Sequence, residues 1–296
     1  MTPICVRGRG YHTGEHADGD YISGDRMKYT AEQHSSPVMR PTGLLGWCTS
    51  LCTAIFSLVV VLALGQTGLG QSVPATEAVT TLPHIIVVGF VGGFIKRDNL
   101  AHSEVQLAAR LRKSYPVGVD VKTFESHREG EARKKVLDLL DTNHDGVLTA
   151  DEKENARIII YGHSWGGSET IALARELGEE GIPVLLTIQV DSISRSHQND
   201  AVIPANVARA ANFYQPNGRL HGQSEIRAAD PTHTTIIGNF RFDYKTTSYH
   251  CPGYPWYDRV FAKSHTQIEC DPKVWEQAEA LIRSDLPPAP ESVPTQ

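Results

Sequence analysis

The sequence predicts an α/β protein with a mainly parallel sheet flanked by helices. Three observations predict it. Short runs dominated by aliphatic and β-branched residues, Ile85-Ile86-Val87-Val88, Ile158-Ile159-Ile160 and Ile182 to Val190, read as strands buried on both faces. Stretches with helical spacing of apolar residues separate them, so strands and helices alternate and right-handed crossovers must join the strands. The third is an abrupt strand-to-helix junction, Tyr161-Gly162-His163-Ser164-Trp165-Gly166-Gly167, with no linker inside it.

Taken in order, Pro83 to Gly93 reads as a buried strand, Ile85–Val88, running into a glycine-rich loop that holds Gly89, Phe90 and Gly92-Gly93. Ser103 to Lys113 is helical, with Val105, Leu107, Ala108 and Leu111 as its core-facing stripe. Val117 to Phe124 alternates as a strand, and Glu131 to Leu140 carries Val136, Leu137, Leu139 and Leu140 on a helix. The elbow strand and its helix, Gly167 to Leu177, follow. After them come a strand from Ile182 to Val190, a helical-looking stretch from Pro204 to Tyr214, a strand from Thr234 to Gly238 and a last helix from Pro272 to Arg283. The stretch from Ser192 to Asp230 fits a small cap or an ordinary crossover equally well.

A chain of 296 residues with 40% hydrophobic and 21% charged residues buries a sizeable core and is not disordered. Its net charge of −6, without a basic run, argues against a nucleic-acid partner. Residues 1–38 lack apolar periodicity and read as disordered or as a start assigned too early. From Met39-Arg40-Pro41 through the apolar Leu44–Gly65 to small residues near Gly70, residues 39–70 have the build of a secretory signal peptide. The rival reading is a membrane anchor at residues 44–65, whose length of about 33 Å spans a bilayer; Thr49, Ser50, Thr53 and Ser57 weaken it. Either way the rest is exported, secreted or periplasmic, and membrane contact would come only through this segment. Residues 71–83 form a linker, 84–284 one domain, and 285–296 a Pro-rich tail.

The elbow carries the chemistry. A serine between two glycines at such a turn is held exposed, and the next amide, that of Trp165, points at the space its hydroxyl faces. A serine nucleophile needs a base within reach and a carboxylate to orient that base. Asp191 follows directly on the strand after the elbow, with Asp230 and Asp243 as rivals. His265, expected in a loop shortly before the final helix, is the candidate base, with His250 and His233 as rivals. The order Ser164, Asp191, His265 is the order this architecture uses. An oxyanion hole needs two amides; Trp165 supplies one, and Phe90, in the glycine-rich loop, is expected to supply the other.

These features together resemble the α/β-hydrolase family over roughly residues 83–284. The resemblance implies an esterase, lipase or thioesterase-type serine hydrolase acting on a small-molecule or lipid ester. Ser164 would be nucleophile, His265 base and Asp191 acid, with Phe90 and Trp165 as oxyanion donors. There is no room before Pro83 for the family's first antiparallel strands, so a reduced α/β-hydrolase fold is expected. The acid also comes one strand earlier than in most members. The chemistry needs no cofactor.

Asp141 to Glu152 resembles an EF-hand loop inserted into that single domain. Asp141, Asn143, Asp145, Thr149 and Glu152 fall at positions 1, 3, 5, 9 and 12, Gly146 at position 6, and Val147 would offer its carbonyl. Calcium is expected there as a structural clamp at the end of the elbow strand away from Ser164. An exported calcium-binding protein that has lost catalysis on a hydrolase-like scaffold is therefore the competing function. Of five cysteines, Cys5, Cys48 and Cys52 lie early in the chain, while Cys251 and Cys270 bracket His265 and are expected to form a disulfide. Tyr254-Pro255-Trp256-Tyr257 reads as an apolar wall of the site or as packing beneath the loop.

Overall fold

A computed structural model describes residues 84–289 apart from 197, 257–259 and 261. All belong to one compact unit, Pro74–Gln296. The expectations for residues 1–38, 39–70 and 71–83, the three early cysteines, Tyr257 and the end of the tail lie outside the described residues.

In chain order the elements are β1 (Ile85–Val91), α1 (Ser103–Ser114), β2 (Val119–Glu125), α2 (Glu129–Leu140), α3 (Ala150–Glu154), β3 (Arg157–His163), α4 (Trp165–Glu179) and β4 (Val184–Val190). They continue as β5 (Val202–Ile203), β6 (Val207–Tyr214), β7 (Arg227–Ala228), β8 (Thr235–Arg241), α5 (Lys263–Cys270) and α6 (Pro272–Arg283). Six strands form one sheet in the order β2-β1-β3-β4-β6-β8. Every neighbouring pair is parallel. β5 and β7 make a separate two-stranded pair. The expected α/β class, a mainly parallel sheet flanked by helices, is the observed one.

Period-two side-chain alternation explains why the strands read as unbroken apolar runs. Ile85 and Val87 of β1, with Ile159 and Tyr161 of β3, face a core completed by Leu107 and Leu111 of α1 and by Trp275 and Ile282 of α6. The intervening Ile86, Val88, Ile158 and Ile160 face the opposite core, with Val136 and Leu140 of α2 and Ile171 and Leu177 of α4. Burying each such side chain contributes about 1.5–3 kcal/mol. α6 starts where the sequence places it because Asp271 accepts from the Lys273 amide while Pro272 occupies the first turn.

Two expectations need correction. Pro204–Tyr214 is not a helix, since Val207–Tyr214 is strand β6. Ala208, Ala210 and Ala211 favour helix locally, yet the segment lies between β4 and β8 and pairs with both; two ladders of backbone bonds outweigh tenths of a kcal/mol of propensity. His265 does not lie in a loop but in the first turn of α5, which only Asp271 separates from α6.

β1 lies between β2 and β3, so the chain crosses in opposite directions on either side of it. Such a reversal opens a crevice at the carboxyl ends of the strands. Ser164 follows β3 at that crevice. Among the described residues no helix is long and apolar enough to cross a membrane.

Candidate active site

The elbow is a strained turn that its glycines make possible. Ser164 has φ 56° and ψ −125°, outside the region ordinary residues prefer, at a cost of about 1–3 kcal/mol. A Cβ on Gly162 would lie 2.2 Å from the Gly166 carbonyl oxygen, and one on Gly166 would lie 2.4 Å from that of Phe90. Hydrogen bonds hold the turn: the Ser164 amide donates to the Val190 carbonyl at 3.0 Å, and the Ser164 carbonyl accepts from Gly167 at 2.9 Å and Ile193 at 3.1 Å. The hydroxyl is left half-exposed at the start of α4.

The fold brings Ser164, His265 and Asp191 together. His265 Nε2 lies 2.8 Å from Ser164 Oγ, and its Nδ1 lies 2.6 Å from Asp191 Oδ2. Asp191 is fully buried, with φ 43° immediately after β4. Its Oδ1 accepts the Gly222 amide at 2.7 Å and the Gln215 amide at 3.3 Å, while Oδ2 also accepts Gln215 Nε2 at 2.9 Å. Gly222 is required here, because a Cβ at that position would stand 2.3 Å from the Asp191 carbonyl carbon. With one oxygen occupied by backbone donors, the other is aimed at the imidazole and fixes which nitrogen faces the serine. The rivals lie elsewhere: Asp230 pairs with His233 at the surface, Asp243 pairs with Arg241, and His250 is exposed.

The two residues expected as oxyanion donors lie in different settings. The Trp165 amide opens α4 beside Ser164, as expected. Phe90 lies inside β1, in register with Phe124 and Gly162, and its ring is fully buried in the core. It is not among the residues lining the cavity at Ser164. β1 continues three residues beyond Val88, through Gly89, Phe90 and Val91, so the loop begins at Gly92. Gly93, with φ 53°, lines the cavity together with Gly92 and Trp165.

The cavity holds about 620 Å³, and Phe94, Ile95, Trp165, Ile193, Leu220 and Tyr254 give it an apolar wall. Phe94 packs edge-on against Trp165 at 5.5 Å, and the Arg195 guanidinium lies 5.5 Å from the same indole. Tyr254 and Pro255 of the expected aromatic wall line it, whereas Trp256 is largely exposed.

Beneath the site lies a buried polar cluster that the sequence reading missed. His102, Glu104, His163 and Glu269 are each at most 4% exposed. His102 Nδ1 is 2.6 Å from Glu269 Oε1, the Tyr254 hydroxyl donates to that same oxygen, and Glu104 Oε1 accepts the Gly92 amide at 3.3 Å. The His163 ring lies 4.6 Å from that of His265. Burial, reinforced by the nearby Glu269, pushes the Glu104 carboxyl well above its usual range. Burial first, then His265 and His102, push His163 well below its own, so its imidazole is neutral. One signal was available in the sequence: Glu269 follows His265 by four residues, one turn on the same helix face.

Cys251 and Cys270 form a disulfide with Cα atoms 5.8 Å apart, which ties the end of α5 to the preceding loop. At the opposite end of β3 lies the Asp141–Glu152 loop, in which Gly146 has φ 82°. Its side chains are turned to the loop's own backbone. Asp141 Oδ2 accepts the Gly146 amide at 2.8 Å, Asp145 Oδ1 the Val147 amide at 2.8 Å, and Glu152 accepts from Thr142 and Thr149. Asn143 Oδ1 accepts the Asp145 amide at 3.0 Å. Among the described residues the one trio of His, Cys, Asp or Glu with ligand atoms gathered within 4.8 Å is His102, Glu104 and Glu269. The loop carboxylates are not so gathered.

No family model matches the chain, and no curated protein does. Among solved structures it is similar to a cutinase-like protein from Cryptococcus sp. (9% identity, TM-score 0.36, 70% of this chain and 96% of that one). It is also similar to an arylesterase (10%, 0.38, 69% and 77%). An uncharacterized protein from Pseudomonas aeruginosa matches at 11% identity and TM-score 0.35, over 53% of this chain; the match spans 40% of that protein's length. Likenesses this distant carry no functional argument, which rests on the site itself.

Proposed function

We propose that the chain is a serine hydrolase that cleaves a carboxylic ester or thioester. One observation carries the reading: a half-exposed serine on a strained turn, 2.8 Å from an imidazole whose other nitrogen meets a buried carboxylate at 2.6 Å. Ser164 Oγ attacks the carbonyl carbon as His265 Nε2 takes its proton, and Asp191 stabilises the resulting imidazolium. The Trp165 amide holds the oxyanion. His265 then returns the proton to the leaving alcohol or thiol. Water, activated by the same imidazole, releases the acid from the acyl-enzyme. The apolar wall and the volume of the cavity support a small-molecule or lipid ester as substrate.

Two accompanying readings are ours as well. The disulfide supports an exported, oxidising location. The backbone of Asp141–Glu152 supports a structural calcium site held by Asp141, Asn143, Asp145, Val147, Thr149 and Glu152. Occupation requires Glu152 to leave its Thr142 and Thr149 donors.

The test is hydrolysis of a p-nitrophenyl ester series together with labelling by a fluorophosphonate. The expected result is turnover and a single adduct on Ser164, both absent in Ser164→Ala. Folded protein that hydrolyses no ester or thioester and takes no label would leave a non-catalytic, calcium-binding protein as the better reading.

A further inference from the structure

The buried cluster under the site has a composition that the hydrolase reading leaves unused. Two carboxyls, Glu104 and Glu269, and two imidazoles, His102 and His163, meet beneath the cavity, each at most 4% exposed. Ligand atoms of His102, Glu104 and Glu269 all lie within 4.8 Å of one another, and His163 Nδ1 lies 3.4 Å from Glu269 Oε2. Independently of that proximity, Glu104 Oε2 and both nitrogens of His163 are buried and make no hydrogen bond among the described residues. Native interiors rarely leave such atoms unmatched, and each costs about 1–3 kcal/mol unless something fills the gap.

We propose that His102, Glu104, His163 and Glu269 form a buried site for one first-row divalent metal ion of the zinc class. Charge is compatible: two carboxyls that coordinate as carboxylates carry −2, which a divalent ion cancels. The donor set selects the metal, because imidazole with carboxylate suits zinc and its neighbours, whereas calcium and magnesium take oxygen ligands. Bonds of about 2.0–2.2 Å in a tetrahedron hold donor atoms about 3.4 Å apart. The His163–Glu269 separation already matches that value. The 2.6 Å contact between His102 Nδ1 and Glu269 Oε1 has to open by under an ångström as the ion replaces the proton held between them. An entry path exists, since His102, His163 and Glu269 line the cavity at Ser164.

The four ligands come from three places. His102 and Glu104 lie at the start of α1, His163 ends β3 next to Ser164, and Glu269 is on α5 with His265. A bound ion would clamp together the elements that carry the nucleophile and its base. Its role is structural, and the site stands whether or not the hydrolase reading does. The occupant it excludes is a proton, which would neutralise one carboxyl and leave the cluster as a hydrogen-bonded network.

The experiment is zinc binding by the full, untagged chain, measured by elemental analysis after dialysis and by competition with a chromophoric chelator. One zinc per chain with sub-micromolar affinity is expected. Glu104→Gln and His163→Gln, each checked for an unchanged circular dichroism spectrum, should weaken binding at least tenfold. If a variant fails to fold, the other carries the test. Should both fail, cobalt substitution into the wild-type chain reports the donor set spectroscopically, and a four-coordinate spectrum with nitrogen ligands is expected. Less than a tenth of an equivalent bound at 100-fold zinc excess, uptake the variants leave unaltered, or a six-coordinate all-oxygen spectrum would overturn the site.

Discussion

The two ends of β3 make an instructive pair. Both carry turns legible as motifs: Gly162 to Gly166 at the carboxyl end, Asp141 to Glu152 at the amino end. At the amino end the polar side chains are exposed and bond amides within the same twelve residues. At the carboxyl end the partners are 74 and 101 residues apart in sequence, two of the three are buried, and the backbone is strained at Ser164 and Asp191. A loop that satisfies itself locally has little need of the fold. A constellation drawn from β3, β4 and α5 exists only because the fold holds it, and function is read from the second kind of arrangement.

The sharpest way to break that contrast is to remove one atom or charge from each end. Ser164→Ala and Asp191→Asn should each lower kcat for ester hydrolysis by about 10³–10⁴-fold with little change in melting temperature. Asp145→Asn should leave kcat within about twofold. Comparable losses at both ends would abolish the distinction.

The next effect is on stability. Cys251→Ser with Cys270→Ser opens a loop of about 20 residues and should cost about 3 kcal/mol, a fall of roughly 6–12 °C in Tm. Because α5 carries His265, activity should fade at a lower temperature than the wild type, and a thermal inactivation curve checks this.

A smaller effect concerns pH. Glu169, one turn beyond Ser164 on α4, is fully buried and pairs with Arg195 at 2.7 Å. Burial pushes its carboxyl up to about 7 against the pull of Arg195. A carboxyl raised in the folded state contributes most below its ordinary value of 4.5, and that contribution is lost as pH rises through about 7. Stability should therefore fall by about 2 kcal/mol from this group between pH 5 and pH 8. Glu169→Gln should flatten that part of the slope in chemical denaturation, and an unaltered slope would count against it.

The smallest expected effect is at the amino end. Calcium at ten times its Kd should raise stability by about 1.4 kcal/mol, roughly 3–5 °C, and EDTA should reverse it. Glu152→Gln should remove the calcium response while leaving any zinc response intact. A calcium response that survives this variant would place the ion elsewhere.

How much was legible follows from where the determining contacts lie. β1, β3 and α6 could be read closely because their signals are local: apolar residues on both faces of a parallel strand, and Asp271-Pro272 at a helix start. The three residues brought together at the elbow were legible because their order and the glycine spacing reflect one turn geometry. β6 was misread because its alanines favour helix and its two neighbouring strands are distant in sequence. Phe90 was placed in a loop but lies inside β1, since a strand end depends on where pairing with β2 and β3 stops, and here that is Val91 on the β2 side. The buried cluster was hardest to see. Glu104 falls in the first turn of an amphipathic helix, where an acidic residue ordinarily faces water.

The origin of the base on α5 has a consequence for the chain as it is being made. Translation completes the Ser164 turn about a hundred residues before it reaches His265, so on the proposed reading the emerging polypeptide holds Ser164 and Asp191 without the imidazole that joins them. The loop that Cys270 closes is later still. On the proposed reading, a chain made only as far as residue 262 carries a serine that His265 cannot yet activate, and the segment that supplies the base also brings the cysteine that closes its loop.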